Sequence, residues 1–320
     1  MDSFEGLLAV VTGGGTGMGR ELVVQLAAEG CSVATCDVHP DTLAETAAIA
    51  EKGAPAGTLI TTHLCDVSDA AAMDSFRDAV VAQHRTDHVN LVFNNAGIGG
   101  GGSFVAGDRS EWERTFGVCW GGVYNGCRSF IPLLVASDAG HLVNTSSVNG
   151  FWASLGPGIP HTAYSSAKIA VKGLSEALIE DFRLNAPHVS VSVVMPGHVG
   201  TDIVLNTSRV LRGDEQNKMT PGELDQARRG LQRFGVDPDS MSVEDLEQAM
   251  QMIGVGFRET APLSAAGAAT IILDGVKAGR WRILVGADAE KLDADVRADP
   301  EGAYSGGGLN PFSVPESPQG

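Results

Sequence analysis

Short, almost continuously apolar runs alternate along this chain with longer segments in which apolar residues recur at helical spacing. Apolar runs without strict polar–apolar alternation are typical of parallel strands that are covered on both faces. They predict seven strands, at residues 7–12, 32–36, 58–63, 88–94, 141–146, 189–195 and 281–285.

The amphipathic segments between these runs predict helices, at residues 17–29, 41–52, 69–85, 109–136, 162–185 and 263–278. Alternation of strands and helices favours an α/β fold, a Rossmann-type doubly wound parallel sheet with right-handed crossovers. We expect one such domain over residues 1–298. The Pro-, Gly- and Ser-rich tail over 299–320 is expected to be extended or disordered, or to pack against a neighbouring subunit.

The segment 203–261 interrupts the alternation of strands and helices, because it contains no strand-like run before the last helix and strand. It does contain two helix starts with capping-box spacing, at Thr220–Glu223 and at Ser242–Asp245. A helical insertion after a strand's carboxyl end lies beside the ligand crevice of such a sheet. We therefore predict a substrate lid here, with a solvated helical excursion as the alternative.

Composition and charge exclude several classes of function. Lys and Arg number 22 against 39 Asp and Glu, a net charge of −17 without a basic cluster, so no nucleic-acid partner is expected. The apolar run at 7–11 is too short to cross a membrane and lacks a basic leader, so we expect a cytoplasmic protein without a membrane partner. The five cysteines show no Cys-x-x-Cys spacing, so neither a disulfide framework nor a metal site is predicted.

Glycine is the outlier, with 41 residues against about 22 expected from its usual share. The densest cluster is TGGGTGMG at residues 12–19, between the first predicted strand and the first predicted helix. Glycines let backbone N–H groups approach a pyrophosphate, and a helix N-terminus adds partial positive charge. This loop therefore predicts a dinucleotide site.

An acid at the end of the second predicted strand, Asp37, strengthens this prediction. A carboxylate there accepts hydrogen bonds from the ribose hydroxyls and repels a 2′-phosphate, and no Lys or Arg stands close to it in the sequence. NAD is therefore favoured over NADP. Alternatively, Asp37 only caps a turn or helix before Pro40.

Tyr164 and Lys168 are four residues apart and therefore lie on one face of a predicted helix. A free tyrosine, with a pKa of about 10, is a poor base near neutral pH. A neighbouring ammonium group favours the phenolate and lowers the tyrosine pKa. The pair thus predicts a general acid/base, although most pairs at this spacing only form a solvated face.

Further motifs surround this pair in a fixed order. After the glycine loop come NNAG at 94–97, HLVNTSSVNG at 141–150 and PGHVGT at 196–201. Together with Tyr164 and Lys168, they resemble the classical short-chain dehydrogenase/reductase family over residues 5–202 and again over 262–286.

The resemblance implies an oxidoreductase that transfers a hydride between NAD(H) and a secondary alcohol or ketone. The resemblance implies that Tyr164 is the general acid/base, and that Lys168 lowers the Tyr164 pKa and binds the nicotinamide ribose. It also implies that Ser147 holds the substrate oxygen, whereas Ser146 is structural. It places Asp66 at the adenine, residues 95–97 at the adenosine ribose and residues 196–201 at the nicotinamide. The full set of implied cofactor contacts besides Tyr164 and Lys168 is Gly13, Gly15, Thr16, Gly17, Met18, Asp37, Asp66, Val67, Asn95, Ala96, Gly97, Pro196, Gly197, Val199 and Thr201.

Two features depart from the family pattern. Cys119 occupies the position where the family usually has an Asn that completes a proton relay, and a thiol cannot replace an amide's donors and acceptors. We expect Cys119 to be a buried packing residue, not a nucleophile.

The segment from Ser147 to Tyr164 is also a few residues longer than is usual in the family. Its apolar loop at 151–160 indicates a hydrophobic or bulky substrate, unless it packs against the insertion.

Two histidines, His161 and His198, lie close to the predicted site in the sequence. They could contact the substrate, although most histidines at such places are solvated or belong to turns.

Two alternatives to an NAD-dependent dehydrogenase stay open. An NADPH-dependent carbonyl reductase is opposed by Asp37. A catalytically idle NAD(H)-binding sensor or scaffold is supported by Cys119 and opposed by the intact Ser147 and Tyr164. The resemblance further implies a homodimer or homotetramer that pairs through the helices at 109–136 and 162–185.

Overall fold

The computed structural model describes residues 1–156, 159–212, 224, 227–228, 231–232, 237 and 241–305. The strands are β1 Leu8–Thr12, β2 Ser32–Asp37, β3 Ile60–Leu64, β4 Leu91–Asn94, β5 Gly140–Thr145, β6 Val189–Pro196, β7 Val199–Gly200, β8 Leu263–Ser264 and β9 Arg282–Val285. Seven of them form one parallel sheet in the order β3-β2-β1-β4-β5-β6-β9, and β7 pairs with β8. The predicted Rossmann-type parallel sheet is confirmed.

The α-helices with described ends are α1 Gly17–Ala28, α2 Pro40–Gly53, α3 Ala70–His84, α4 Arg109–Phe116, α5 Gly122–Val135, α6 Thr162–Asn185, α7 Ile203–Arg212, α8 Val243–Glu259, α9 Ala265–Lys277 and α10 Ala287–Ala298. Apolar side chains of α3, α5 and α6 fill the core on one face of the sheet, and those of α1, α2 and α9 fill the core on the other. Both faces are covered, which explains why the strands read as unbroken apolar runs.

The strand order reverses between β1 and β4. From this point the chain runs outward through β2 and β3 on one side and through β5 and β6 on the other. In open parallel sheets, ligands bind beyond the carboxyl ends of the strands at such a switch point. The glycine loop that follows β1 lies there.

Capping side chains determine where several helices begin. Asp69 and Asp108 each accept hydrogen bonds from backbone N–H groups in the first turns of α3 and α4. These bonds satisfy amides that the helix itself leaves free. The capping box predicted at Ser242 is confirmed, since Ser242 and Asp245 exchange side-chain-to-backbone bonds at the start of α8.

The long helix predicted over 109–136 is interrupted. A π-helical turn at Gly117–Gly121 separates α4 from α5. Such turns occur frequently at functional sites. Cys119 lies in this turn and is fully buried.

The helix predicted from residue 263 begins two residues later, at Ala265. Leu263 and Ser264 instead pair with Val199 and Gly200 as the short strand β8, and the Ser264 side chain caps α9. The pairing ties the loop after β6 to the start of α9.

Beyond β9 the structure contains an element that the sequence analysis missed, the helix α10. A 3₁₀ turn follows at Gly302–Tyr304, and its Ala303 is buried. The tail predicted to be extended or disordered over 299–320 therefore begins with packed chain. Residues 306–320 lie outside the described residues.

The segment 203–261 contributes α7 and α8. The helix start predicted at Thr220 lies outside the described residues. Among those that are described, no helix is both long and apolar enough to span a membrane.

Candidate active site

A cleft of about 400 Å³ opens at the carboxyl ends of the strands. Its volume lies in the usual range for small-molecule sites. It brings together all but one of the predicted site residues, namely Gly13, Thr16, Gly17, Met18, Asp37, Asp66, Val67, Asn95, Ala96, Gly97, Ser147, Tyr164, Lys168, Pro196, Gly197, Val199 and Thr201. Gly15 is the exception. It lies behind the lining, where its N–H donates to Asp37 and its carbonyl accepts from Arg20.

The glycine loop has no room for side chains. Gly13 adopts a φ of +71°, and a Cβ there would approach the Ala96 Cα to 2.8 Å. A Cβ at Gly19 would collide with the Gly13 carbonyl and lie 2.6 Å from the Asn95 side chain. The backbone of the loop is therefore free to contact a ligand directly.

The first turn of α1 keeps its N–H groups available. Thr16, at the N-cap position, makes no side-chain cap, and the first turn carries no acidic residue. The Thr16 hydroxyl instead accepts a hydrogen bond of 2.8 Å from Asn206 Nδ2 in α7. An uncapped helix N-terminus beside a glycine loop fits the pyrophosphate of a dinucleotide.

Asp37 ends β2 and faces the cleft. One carboxylate oxygen accepts from the Gly15 N–H at 3.0 Å, and the other accepts from the Val38 N–H at 2.7 Å. An arginine also approaches this loop, which the sequence did not indicate. Arg20 donates to the Gly15 carbonyl and to Glu45 at 2.6 Å, so a carboxylate already neutralises its guanidinium.

At the far end of the cleft Asp66 is held in place by two neighbours. It accepts from the Ser68 hydroxyl at 2.7 Å and forms an ion pair with Arg114 at 2.7 Å. Burial raises the pKa of Asp66, but the hydrogen bonds from Ser68 and Arg114 outweigh it and hold the pKa below its ordinary value. The carboxylate is thus charged and fixed at neutral pH.

Tyr164 and Lys168 extend from the first turns of α6 toward the end of β5. The Ser147 side chain is close enough to the Tyr164 phenol to lower the pKa of the phenol. Lys168 Nζ lies 5.4 Å from the centre of the Tyr164 ring and donates to the Thr145 carbonyl at 2.8 Å. Ser146 donates to the Lys168 carbonyl at 2.7 Å and so ties the end of β5 to α6. The structure therefore brings Ser147, Tyr164 and Lys168 together.

The pKa of Tyr164 shifts opposite to the prediction. Burial raises it above its ordinary value, and the nearby Ser147 side chain only partly offsets this. Burial also lowers the pKa of Lys168. The Lys168 ammonium donates its hydrogen bond to the Thr145 carbonyl and not to the phenol oxygen.

The loop after Ser147 forms one wall of the cleft through Ser154 and Leu155. The apolar character of this loop predicted that its side chains face the substrate. Its largest side chain, Trp152, does not face the cleft. Trp152 is 1% exposed and packs on α10, and its Nε1 donates to the Ala303 carbonyl at 3.1 Å. The adjacent Ala153 N–H donates to the Tyr304 hydroxyl at 2.9 Å. The C-terminal segment therefore holds this wall in place.

Helices α7 and α8 form the opposite wall. Ile203, Val204 and Val210 of α7 line the cleft together with Phe257 of α8. α7 is fixed to the cofactor side of the cleft, because the Thr207 hydroxyl accepts from the Gly99 N–H at 2.7 Å. The substrate side of the cleft is thus largely apolar.

A family model described as short chain dehydrogenase matches residues 7–211. This range includes the glycine loop, Asp37 and the three residues Ser147, Tyr164 and Lys168. The chain belongs to the short-chain dehydrogenase family. It is an oxidoreductase of that type.

Similar proteins from other organisms agree with this assignment. The chain is 33% identical over 297 residues, 93% of its length and 92% of the relative's, to SadH of Mycobacterium tuberculosis, which is named as an oxidoreductase without a stated substrate. It is 30% identical to the levodione reductase of Leifsonia aquatica over 75% of this chain and 86% of that one.

A solved structure resembles this short-chain dehydrogenase over most of its length. It is a Burkholderia phymatum short-chain dehydrogenase/reductase in complex with NAD, with a TM-score of 0.75 and 28% identity. The superposition covers 94% of this chain and 96% of the other.

Cys119 distinguishes this short-chain dehydrogenase from the family pattern. Its thiol donates to the Ile98 carbonyl at 3.1 Å and lies near the Lys168 ammonium. Burial raises the pKa of the thiol, so it stays neutral. Cys119 is therefore a buried, hydrogen-bonded filler, as predicted.

Both histidines near the site line the cleft. His198 Nε2 lies 2.7 Å from the Phe257 carbonyl, and its ring packs on the Phe257 ring at 4.3 Å. His198 therefore ties the loop after β6 to α8. His161 packs its ring on Tyr164 at a centroid distance of 4.7 Å.

Several residues of this short-chain dehydrogenase site carry no signal in the sequence. Arg114 at the Asp66 end, Asn206 at the glycine loop and Asp288 of α10 each reach the cleft from a distant part of the chain. Asp288 accepts from the His198 N–H at 2.6 Å and fills the space that a side chain at Gly197 would need. Only the tertiary fold reveals these contacts.

Proposed function

We propose that this short-chain dehydrogenase interconverts a secondary alcohol and a ketone with NAD(H), and that the substrate is hydrophobic or bulky. The observation that carries the proposal is the position of the Tyr164 phenol, close to the Ser147 side chain and beside the buried Lys168, in the same cleft as the glycine loop. A proton donor and a substrate-oxygen site thus face a dinucleotide site.

NAD is proposed as the cofactor because Asp37 faces the cleft where the adenosine ribose is expected. Its carboxylate suits ribose hydroxyls and repels a 2′-phosphate, and the nearby Arg20 is already paired with Glu45. The Burkholderia phymatum relative in complex with NAD supports this choice. When bound, the nicotinamide supplies or accepts the hydride.

The protein's own residues handle the proton. Ser147 holds the substrate oxygen beside the Tyr164 phenol, close to which its side chain lies. Because burial keeps the phenol protonated at neutral pH, Tyr164 is set to donate a proton to a ketone oxygen during reduction. In the oxidative direction the phenolate must form first and then accept the alcohol proton.

The apolar walls support a hydrophobic substrate. Leu155, Ile203, Val204, Val210, Phe257 and Leu292 line the cleft. Such walls bind apolar carbon skeletons and leave orientation to a few polar groups. We propose that α7 and α8 act as the substrate lid within the 203–261 insertion of a single domain over 1–298.

We also propose that the protein is a homodimer or homotetramer. Large apolar side chains are exposed on the long helices predicted to pair, including Tyr124 and Val135 of α5 and Ile169 and Leu184 of α6. Light scattering at micromolar concentration should give a mass of two or four chains. A monomer would contradict this arrangement.

The proposed activity is tested by absorbance at 340 nm with NAD or NADP and a panel of secondary alcohols, with Tyr164→Phe as the matched control. We expect reduction of NAD that falls by about 10²–10⁴-fold in Tyr164→Phe while NADH binding is kept. Activity with NADP alone would favour an NADPH-dependent carbonyl reductase. Binding of NADH without turnover of any alcohol would instead favour the idle sensor.

A further inference from the structure

His161 stands at the entrance of the helix that carries the proposed acid/base. It directly precedes α6 and lies three residues before Tyr164. Its ring lines the cleft and packs on the Tyr164 ring at 4.7 Å with a 33° tilt. The imidazole is therefore next to the position where a substrate must place its reacting carbon.

The polar atoms of this ring have no partner in the described part of the protein. His161 makes no side-chain cap on α6, and neither ring nitrogen forms a hydrogen bond within the described residues. Six of the other seven histidines do meet a polar partner, namely His63, His84, His88, His141, His188 and His198. The exception, His39, lies at the cofactor end of the cleft.

The His161 imidazole is neutral at physiological pH, because burial lowers its pKa to about 4. A neutral imidazole has one N–H donor and one acceptor nitrogen. Both nitrogens are accessible from the cleft. A ligand that fills the cleft must therefore offer them a partner or bury them unpaired, which is unfavourable. The described protein thus gives the imidazole nitrogens no hydrogen-bond partner. A ligand in the cleft can supply one.

The charged groups around His161 determine which kind of ligand atom can bond its ring. Lys168 is directed at the Thr145 carbonyl, and Arg114 is paired with Asp66 at the other end of the cleft. Among the described residues that line this side of the cleft, the other charged groups are the carboxylates of Asp288 and of Asp202, which is paired with Arg258 at 2.7 Å. A neutral histidine near these carboxylates does not favour an anionic substrate, so the partner is an uncharged oxygen.

We propose that His161 hydrogen-bonds a second, uncharged oxygen of the substrate, so that the preferred substrate carries a hydroxyl or carbonyl group close to its reacting carbon. This inference rests on the proposed function. His161 then selects among similar apolar alcohols or ketones. It favours those whose second oxygen it can bind while the reacting carbon lies at Tyr164 and Ser147. Hydroxyketones, diketones and diols on an apolar skeleton form the substrate class.

The test compares matched ketone pairs with NADH at 340 nm. Each pair shares a skeleton, with and without a second oxygen: cyclohexanone and cyclohexane-1,4-dione, 2-decalone and a hydroxy-2-decalone, propiophenone and 2-hydroxypropiophenone. His161→Phe keeps an aromatic ring on Tyr164 but removes both nitrogens. His161→Gln is the conservative control, since it keeps one donor and one acceptor. NADH binding by each variant reports whether the fold is kept.

We expect the wild type to prefer the two-oxygen member of at least one pair. In His161→Phe the ratio of kcat/KM between the two members should fall about tenfold, mainly through KM, and His161→Gln should restore most of it. An unchanged ratio in His161→Phe, or a wild-type preference for the one-oxygen member of every pair, would overturn the inference alone. Absence of NADH-dependent turnover with all six ketones would instead remove the proposed function, and the inference with it.

Discussion

The two sides of the cleft are built in different ways. The cofactor side is formed mainly by residues of short sequence motifs at the ends of β1, β2, β4 and β6, among them the glycine loop and Asp37. The substrate side depends on contacts between distant residues, such as Trp152 with Ala303 and Ala153 with Tyr304, each 151 residues apart. Local motifs therefore specify the cofactor side, whereas the tertiary fold specifies the substrate side.

The largest effect is expected on the substrate side, from removing its buried anchor. Trp152→Ala deletes a 1% exposed side chain and its bond to Ala303. It should lower the free energy of unfolding by about 3–5 kcal/mol, measured by urea denaturation. The control Trp281→Ala removes a tryptophan that is 46% exposed, and it should cost far less. Equal losses in both variants would show that the C-terminal segment does not hold this wall.

On the cofactor side, the expected effect is on binding. In Gly19→Ala the new methyl group would collide with the Gly13 carbonyl and displace the loop. NADH affinity should fall roughly 10–100-fold, measured by fluorescence titration, as expected for overpacking. Gly53→Ala is the matched control, because open space surrounds that position. An unaltered affinity in Gly19→Ala would mean that this loop does not hold the dinucleotide.

Tyr164, the proposed acid/base, lies between the two sides, and the pH dependence of the reaction shows which protonation state burial favours. Because burial raises the pKa of Tyr164, the phenolate needed for alcohol oxidation is scarce at neutral pH. The oxidation rate should therefore rise about tenfold per pH unit from pH 7 to 9, while ketone reduction stays nearly constant. An oxidation rate already level at pH 7 would show that Lys168 lowers the tyrosine pKa in the loaded enzyme.

A smaller effect is expected where the two sides meet, at the bond from Asn206 to the Thr16 hydroxyl. Asn206→Ala removes a 2.8 Å hydrogen bond that joins α7 to the glycine loop. NADH affinity should fall about 2–10-fold, the usual contribution of one such bond. Asn185→Ala removes an exposed amide that bonds only Asp181 in its own helix, and it should leave the affinity unchanged. If both variants bind NADH equally, α7 does not stabilise the cofactor side.

The cofactor side could be predicted from the sequence almost residue by residue. Glycine spacing, an acid at a strand end and a Tyr–Lys pair act over a few residues, so their positions follow once strand and helix order is known. The cleft contains every predicted contact except Gly15. Gly15 does not line the cleft, because its N–H donates to Asp37 and its carbonyl accepts from Arg20, and spacing alone does not reveal these bonds.

The substrate side could not be predicted in the same way. α10 has a polar, alanine-rich sequence with weak apolar periodicity, and its role depends on the buried faces of Leu292 and Val296. The apolar loop at 151–160 was correctly located, but its Trp152 turned inward because α10 offers a partner. The raised pKa of Tyr164 was likewise not predictable, since burial cannot be derived from the sequence.

The central claim, a cofactor side built for NAD, is tested most directly by calorimetric titration of NADH and NADPH, which requires no substrate. The account predicts that NADH binds at least tenfold more tightly than NADPH, because Asp37 accepts ribose hydroxyls and repels a 2′-phosphate by about 1.4 kcal/mol or more. Asp37→Ala should narrow this difference, mainly by weakening NADH. Equal or tighter binding of NADPH by the wild type would contradict the account.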